Sequence, residues 1–300
     1  METTYDDIRS TLRVPWVAFA CRVLATFPTF LPLAWRRSAD AFGTLYAECA
    51  ADELRERSLF GIEPALDLKE RLRSEGWGQD PIDSVRRVRN QLNYGNPKYL
   101  LLLTAWSERF QMRTAGSDEV SAELRTPVPK GHPAGMDSLL TLVDPAQASV
   151  DVQRLLKRVA DIHYHHGPAS DFRVLAQWPY VLEPVTEQIL SPVVRTERYD
   201  AKARELVTRA RELAQQLPRP VGVERTELTS HCTAAELAGL AGVPVHVSAL
   251  HRRHHHQHRA RHGMPRRPRR GVTFALSGSH TRLAGARQKS RSGTRRTRGR

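Results

Sequence analysis

One carboxylate in this chain lies in a setting suited to acid–base chemistry. Asp171 follows a Gly-Pro pair at residues 167–168. Glycine and proline end the preceding helix, and Ser170 can cap the next one, which places Asp171 in its first turn. We therefore predict a rigid, partly desolvated carboxylate with apolar neighbours, as a general base requires. The alternative is that Ser170 and Asp171 only cap a helix, as such residues commonly do.

The same stretch has a counterpart near the N-terminus. Residues 22–28 (Arg-Val-Leu-Ala-Thr-Phe-Pro) align without gaps with residues 173–179 (Arg-Val-Leu-Ala-Gln-Trp-Pro). A repeat of this kind indicates two copies of one structural unit. In the alignment Phe19 corresponds to Ser170, the residue directly before Asp171. If the two units pack face to face, we expect one to supply an aromatic wall and the other the acid.

Two stretches of the first half predict the elements that would position a site. Apolar residues at helical spacing predict one helix from about residue 33 to residue 57. Thr44 and Glu48 share its opposite face, as a solvated pair or as the lining of a second packed surface. Residues 93–97 (Asn-Tyr-Gly-Asn-Pro) predict a turn, in which Asn96, directly before proline, has an extended backbone that projects its amide.

The second half also has helical periodicity. Its first helix carries one apolar face made of Val152, Leu155, Leu156 and Val159. Thr233 can cap a later helix with Glu236 at the third position, which is the pattern of a capping box. No alternating strand pattern of any length occurs, so we predict an all-α fold.

Composition and turn residues divide the chain into four parts. We predict a first helical repeat over residues 1–113 and a linker rich in glycine, proline and charge over residues 114–145. A second repeat follows over residues 146–243, related to the first by a pseudo-two-fold axis. Residues 244–300 form an irregular tail whose composition cannot bury enough apolar surface to fold alone.

The net charge of +14 comes from this tail. Residues 244–300 contain 15 Arg, one Lys and no acidic residue, whereas the rest of the chain has 30 basic and 32 acidic residues. An alternative function is therefore a nucleic-acid-binding protein that acts through the tail. Cations without interleaved aromatic residues would give only salt-sensitive, sequence-independent binding.

Bulk features indicate the compartment. No apolar run is long enough to span a membrane, and the N-terminus lacks the basic and then apolar pattern of a secretion signal. The three cysteines are odd in number and widely spaced, which argues against a disulfide framework. We therefore expect a cytoplasmic protein.

Three histidines precede Asp171 and raise the question of a metal. His163, His165 and His166 have no cysteine or acid set nearby at ligand spacing. We therefore interpret them as a buried or surface histidine cluster, and we predict neither a metal nor a cofactor.

Four strings allow a family to be recognised. They are residues 12–19 (LRVPWVAF), 22–25 (RVLA), 93–99 (NYGNPKY) and 163–172 (HYHHGPASDF). They resemble the group I 2-haloacid dehalogenases, a family that acts on both D- and L-2-haloalkanoic acids, and the resemblance extends to about residue 243. It implies an all-α subunit of two related repeats, a homodimer, and a small-molecule haloacid and water as the reactants.

The resemblance also implies a mechanism and its catalytic residues. Asp171 corresponds to the family's catalytic aspartate, which activates a water that attacks Cα and displaces halide with inversion. Asn96 corresponds to the asparagine that helps to hold that water. An ester-forming attack by Asp171 itself remains the chemical alternative.

Five further residues have counterparts in the family. Trp16, Phe19 and Ser170 correspond to residues that line the substrate pocket, where the aromatic rings would exclude bulk water and raise the basicity of the aspartate. Thr44 and Glu48 correspond to residues that are important in the family, in a role that the sequence does not explain.

The resemblance ends at Val243, where the family continues with an apolar helix that contributes a tyrosine to the pocket. Reading residues 244–258 one base later, with one consistent choice of codons, gives Leu-Phe-Met-Tyr-Gln-Arg-Phe-Ile-Ala-Asp-Ile-Thr-Ile-Ser-Ile. We therefore hypothesise that a frameshift, in the gene or in its reported sequence, replaced the native C-terminus by the basic tail.

Overall fold

The computed structural model describes residues 1–58, 67–136 and 140–241, and these are mostly helical. The predicted all-α fold is confirmed, because extended pairing within these ranges is limited to two isolated bridges. No helix in the described ranges is long and apolar enough to cross a membrane. The basic tail, residues 244–300, lies outside them, and so does the hypothesised frameshift.

The helices fall into two series along the described chain. The first series consists of α1 (Glu2–Leu12), α2 (Phe19–Leu24), α3 (Phe30–Arg36), α4 (Ala39–Phe42), α5 (Leu45–Ser58), α6 (Leu68–Ser74) and α7 (Gln79–Phe110). The second series consists of α8 (Val150–Ile162), α9 (Ser170–Leu175), α10 (Pro179–Pro184), a π-helical turn (Val185–Leu190), α11 (Ser191–Val193), α12 (Glu197–Gln215), α13 (Arg225–Leu228) and helical residues 234–241.

The internal repeat is visible in the backbone. Helices α2 and α9 are both six residues long and start at the same offset as the repeated sequence. At that offset Arg13, after α1, and Tyr164, after α8, both have left-handed backbones, with φ of 61° and 54°. The next residues, Val14 and His165, each donate an N–H to the carbonyl five positions back, which closes a helix C-terminus of the same type. These equivalent ends support the prediction of two related units.

The single helix predicted over residues 33–57 is wrong. The chain breaks there at Ser38 and Gly43, which separates α3, α4 and α5. The Ser38 hydroxyl donates to the Ala34 carbonyl at 2.7 Å and accepts from the indole N–H of Trp106 at 2.9 Å. A serine hydroxyl that bonds to nearby backbone competes with the hydrogen bonds of the helix. The second partner, Trp106 of α7, cannot be predicted from local periodicity.

The turn predicted at residues 93–97 and the extended backbone of Asn96 are also wrong. Helix α7 continues through this stretch with Pro97 inside it. Proline within a helix removes one backbone bond and costs about 3 kcal/mol in isolation. Because α7 packs along α5 and α12 and buries most of its residues from Gly95 to Phe110, tertiary contacts outweigh this cost.

The described halves share their largest hydrophobic core. It joins residues of α1, α3, α5 and α7 with Ala210, Leu213 and Ala214 of α12. A bidentate ion pair joins α5 and α12 at the edge of this core. The Arg209 guanidinium donates to both carboxylate oxygens of Glu53, at 2.7 and 3.0 Å. This pair lowers the pKa of Glu53 to about 2.

Two local predictions about the second half hold. In α8, Leu156 and Val159 are buried, and Val152 and Leu155 pack against the same cluster. At the later helix the Thr233 N–H donates to the Glu236 carboxylate at 2.7 Å, and the Glu236 N–H donates to the Thr233 hydroxyl at 3.3 Å. This reciprocal pair is the predicted capping box.

Candidate active site

Asp171 lies at the second residue of α9, in its first turn as predicted. The prediction that Ser170 caps this helix is wrong: Ala169 occupies the cap position, without a side-chain bond, and Ser170 is the first helical residue. The backbone of Ala169 is extended, at φ −62° and ψ 156°, so the chain turns into the helix one residue earlier than capping chemistry suggests. Helix capping alone therefore does not account for an acidic side chain at position 171.

The Asp171 side chain is held by α7. The Asn96 amide nitrogen donates to Asp171 Oδ2 at 2.8 Å, which joins two residues 75 positions apart. Burial raises the pKa of Asp171 above its ordinary value, and the bonds from Asn96 and from its own backbone N–H oppose that rise. A desolvated carboxylate that is fixed by a neutral amide is more basic than an exposed one.

Trp16 packs against the same turn of α7. Its ring faces Gly95, the residue before Asn96, and a Cβ at that position would lie 2.5 Å from Trp16 Cη2. The hydroxyl of Tyr99, one turn further along, donates to the Trp16 carbonyl. An aromatic ring is thus fixed beside the turn that carries Asn96.

We expect Gly95→Ala to lower the free energy of unfolding by about 1–3 kcal/mol, because the added methyl overlaps the Trp16 ring. This clash outweighs the gain of up to about 1 kcal/mol in helix propensity. Urea denaturation measures the effect. Gly78→Ala is the control, since a Cβ there meets nothing within 4 Å. Equal stability of Gly95→Ala and the parent chain would show that Trp16 does not need the glycine.

Phe19 does not form the closed aromatic wall that the repeat alignment suggested. It is the first residue of α2 and is 64% exposed in the described structure. The guanidinium of Arg22, one turn later, lies 5.7 Å from the centre of its ring. Phe19 therefore contributes an open aromatic surface, whereas Trp16 is packed.

Thr44 and Glu48 line a packed surface, which decides between the two alternatives for this pair. Thr44 is buried directly before α5, and its hydroxyl donates to the Ala41 carbonyl at 2.7 Å. Glu48 faces α7, where Oε1 accepts from Lys98 Nζ at 2.6 Å and Oε2 lies 3.5 Å from the Tyr94 hydroxyl. Their contacts are with the scaffold behind Asn96 rather than with Asp171.

Sequence reasoning missed Lys98. Its side chain is only 4% exposed, and Nζ also donates to the Leu12 carbonyl at 3.0 Å. Burial lowers its pKa to about 8, against the opposing effect of Glu48. A lysine inside an apolar stretch of helix, four residues after Tyr94, was the available signal for a buried charge.

Among the histidines before Asp171, His163 packs against neighbouring rings in the described structure. His163 is partly buried, with its ring 5.2 Å from that of Phe172 and 5.7 Å from that of His165. Burial lowers its pKa to about 4, so the ring is neutral at physiological pH. Within the described ranges no group of three or more His, Cys, Asp or Glu residues is arranged to hold a metal ion.

Comparisons with known proteins identify the family of this chain. The family model described as halocarboxylic acid dehydrogenase DehI matches residues 15–169, which include Trp16 and Asn96 and end two residues before Asp171. The chain is 67% identical over 243 residues to a configuration-inverting 2-haloacid dehalogenase of Alcaligenes xylosoxydans xylosoxydans, covering 81% of this chain and 82% of that one.

Two more distant proteins extend the likeness. A configuration-inverting 2-haloacid dehalogenase of Pseudomonas sp. (strain 113) is 38% identical over 80% of this chain and 78% of its own length. A solved complex of a D-2-haloacid dehalogenase mutant with D-2-CPA superposes with a TM-score of 0.73 at 28% identity, covering 81% of this chain and 84% of that one. The fold is therefore shared well beyond the strings that first suggested the family.

Proposed function

Because this chain belongs to the DehI family and is a 2-haloacid dehalogenase, a hydrolase acting on carbon–halide bonds, we propose that it converts both D- and L-2-haloalkanoic acids into 2-hydroxy acids with inversion. In this proposal, Asp171 is the general base and water is the nucleophile. The contact between Asn96 and Asp171 carries the proposal, because it holds a desolvated carboxylate in one orientation.

The proposed reaction proceeds in one displacement. Asp171 takes a proton from water, and the water oxygen forms a bond to Cα on the side opposite the halogen. The carbon–halogen bond breaks and the halide leaves with its electron pair, while the proton on Asp171 passes to solvent. Asn96 donates to Asp171 through its amide nitrogen, and its carbonyl oxygen can accept from the attacking water.

Direct attack by water accounts for the use of both enantiomers. Water held on one side of Cα reaches either configuration if the halogen lies opposite the water in both and two of the other three substituents exchange places. We expect halide release from each enantiomer of 2-chloropropionate, D giving L-lactate and L giving D-lactate, as measured by ion chromatography and chiral chromatography of the product. Turnover of the D enantiomer alone would overturn the proposed range and leave a D-specific enzyme.

We expect a single turnover in ¹⁸O-labelled water, with enzyme in excess, to place the label in the product. Attack by Asp171 on Cα would instead form an ester, and its hydrolysis would leave the label in the Asp171 carboxylate. Mass spectrometry of lactate and of the peptide containing Asp171 distinguishes the two. Label in the peptide and none in the product would overturn water attack.

Three further proposals rest on the family resemblance and the tail. We propose that the protein is a homodimer, which sedimentation velocity tests. We also propose that the tail binds nucleic acid only non-specifically, so that DNA binding is lost at 0.5 M salt. We also propose that the tail arose by a frameshift. An intact reading frame in DNA resequenced around the codon for Val243 would overturn this last proposal.

A further inference from the structure

Lys98 is a buried cation that the proposed mechanism does not use, although it lies two residues after Asn96. Its ammonium is held on three sides. It donates to the Leu12 carbonyl at 3.0 Å and to Glu48 Oε1 at 2.6 Å, and it lies 3.9 Å from the centre of the Tyr94 ring. A buried ammonium is tolerated only when its donors are satisfied in this way.

These contacts join three helices at one point. Leu12 is the last residue of α1, Glu48 belongs to α5, and Lys98 belongs to α7. The segment after Leu12 leads within four residues to Trp16, whose ring rests on Gly95. Lys98 therefore fixes α7 relative to the segment that supplies the aromatic ring and relative to α5.

This turn of α7 needs external support because Pro97 lies between Asn96 and Lys98. Proline has no N–H, so the helical bond that its position would make to the Asn93 carbonyl is absent. A turn that lacks a backbone bond is more easily displaced. Its place in the fold then depends on tertiary contacts, and Lys98 and Tyr99 supply them on the C-terminal side of the proline.

We propose that Lys98, through its ion pair with Glu48 and its bond to Leu12, is a positioning residue that sets the Asn96 amide against Asp171. This inference rests on the proposed role of Asp171 as the base. It assigns a physical role to Glu48, which lies behind Asn96 and outside contact with Asp171. In this proposal Lys98 acts through Asn96 and is not itself a reacting group.

The first test is Lys98→Met, which keeps the length of the side chain and removes its donors. A displacement of about 1 Å at a reacting group can cost on the order of 100-fold in rate. We expect kcat on 2-chloropropionate to fall by about 10- to 100-fold, with a much smaller change in KM. The acidic limb of the kcat profile should move to higher pH, because Asp171 loses part of its bond from Asn96.

The second test separates positioning from stability. Lys98→Met alone removes the nearest cation from the partly buried Glu48 and leaves it Arg13, at 3.8 Å, and the Tyr94 hydroxyl, so the double variant Glu48→Met with Lys98→Met should recover part of the lost melting temperature. We expect kcat of the double variant to stay low, because the link between α1, α5 and α7 is still missing. Recovery of parental kcat together with the melting temperature would overturn the proposal and leave the pair a merely structural one.

A third readout does not depend on which residue is the base. The side-chain amide signals of Asn96, assigned by ¹⁵N NMR, should shift as Asp171 titrates, and we expect this shift to shrink in the double variant. Lys157→Met is the control, since Lys157 pairs with Asp161 on the exposed face of α8. An unchanged Asn96 signal would overturn the positioning role, whereas full activity of Asp171→Asn would overturn only the proposed base.

Discussion

Replacing Asp171 by asparagine should reduce the rate of halide release by about 10²–10⁴-fold, the range that a positioned general base contributes. The substitution is nearly isosteric, and the new carbonyl oxygen can still accept from the Asn96 amide. The loss should therefore reflect the missing base rather than an altered fold. Initial rates of chloride release from each enantiomer of 2-chloropropionate measure it.

Asp151→Asn is a matched control for this prediction. Asp151 is also an acid in the first turn of a helix, α8, but its side chain is 90% exposed and paired with Arg154. If Asp171 did no more than stabilise a helix N-terminus, both variants would lose a little stability and keep their activity. Parental turnover in Asp171→Asn would therefore favour the capping interpretation and remove the proposed mechanism.

The second large effect is expected for Asn96→Ala, which should lower kcat/KM by about 10- to 100-fold and shift its pH dependence. The base acts in its ionised form, so activity falls as the pH drops through the pKa of Asp171. Burial already raises that pKa, and the Asn96 bond opposes the rise. Removing the bond raises the pKa further, so the acidic limb should move to higher pH.

Profiles of kcat/KM between pH 4 and pH 9 measure this shift, with Asn90→Ala as the control. Asn90 lies on the same helix and is exposed, with its side-chain oxygen 3.3 Å from Arg89 rather than beside Asp171. An acidic limb at the same pH in Asn96→Ala and in the parent would show that the amide does not tune the carboxylate. A lower rate with an unshifted limb would then assign Asn96 to the water alone.

Local signals were sufficient where the structure depends on neighbours in the chain. Asp171 lies in the first turn of the next helix as predicted, although α8 already ends at Ile162, before the Gly-Pro pair, and the Thr233–Glu236 pair formed the predicted cap. The repeat at constant offset anticipated the equal lengths of α2 and α9. In each case the bonds or sterics that decide the conformation lie within a few residues.

Local signals failed where distant packing decides the backbone. The break at Ser38 depends on a bond from Trp106, and the continuity of α7 through Pro97 depends on burial against α5 and α12. The pairing of Lys98 with Glu48 was not predicted for the same reason, because the two residues lie far apart in the sequence. The predictions at proline and glycine used their intrinsic preferences, which are worth a few kcal/mol. The packing free energy of a long buried helix can exceed these preferences.

The sequence by itself determined that the chain is helical, and it indicated an internal repeat and Asp171 as the acid to examine, because periodicity and recurring motifs can be recognised in short stretches of sequence. Only the tertiary structure decided that one unbroken helix brings Asn96 within 2.8 Å of that acid and that a buried lysine anchors the turn behind it. Those contacts join residues 75 and 86 positions apart, and the helix packing that brings the partners together is driven by apolar burial between distant segments, which no short stretch of sequence records.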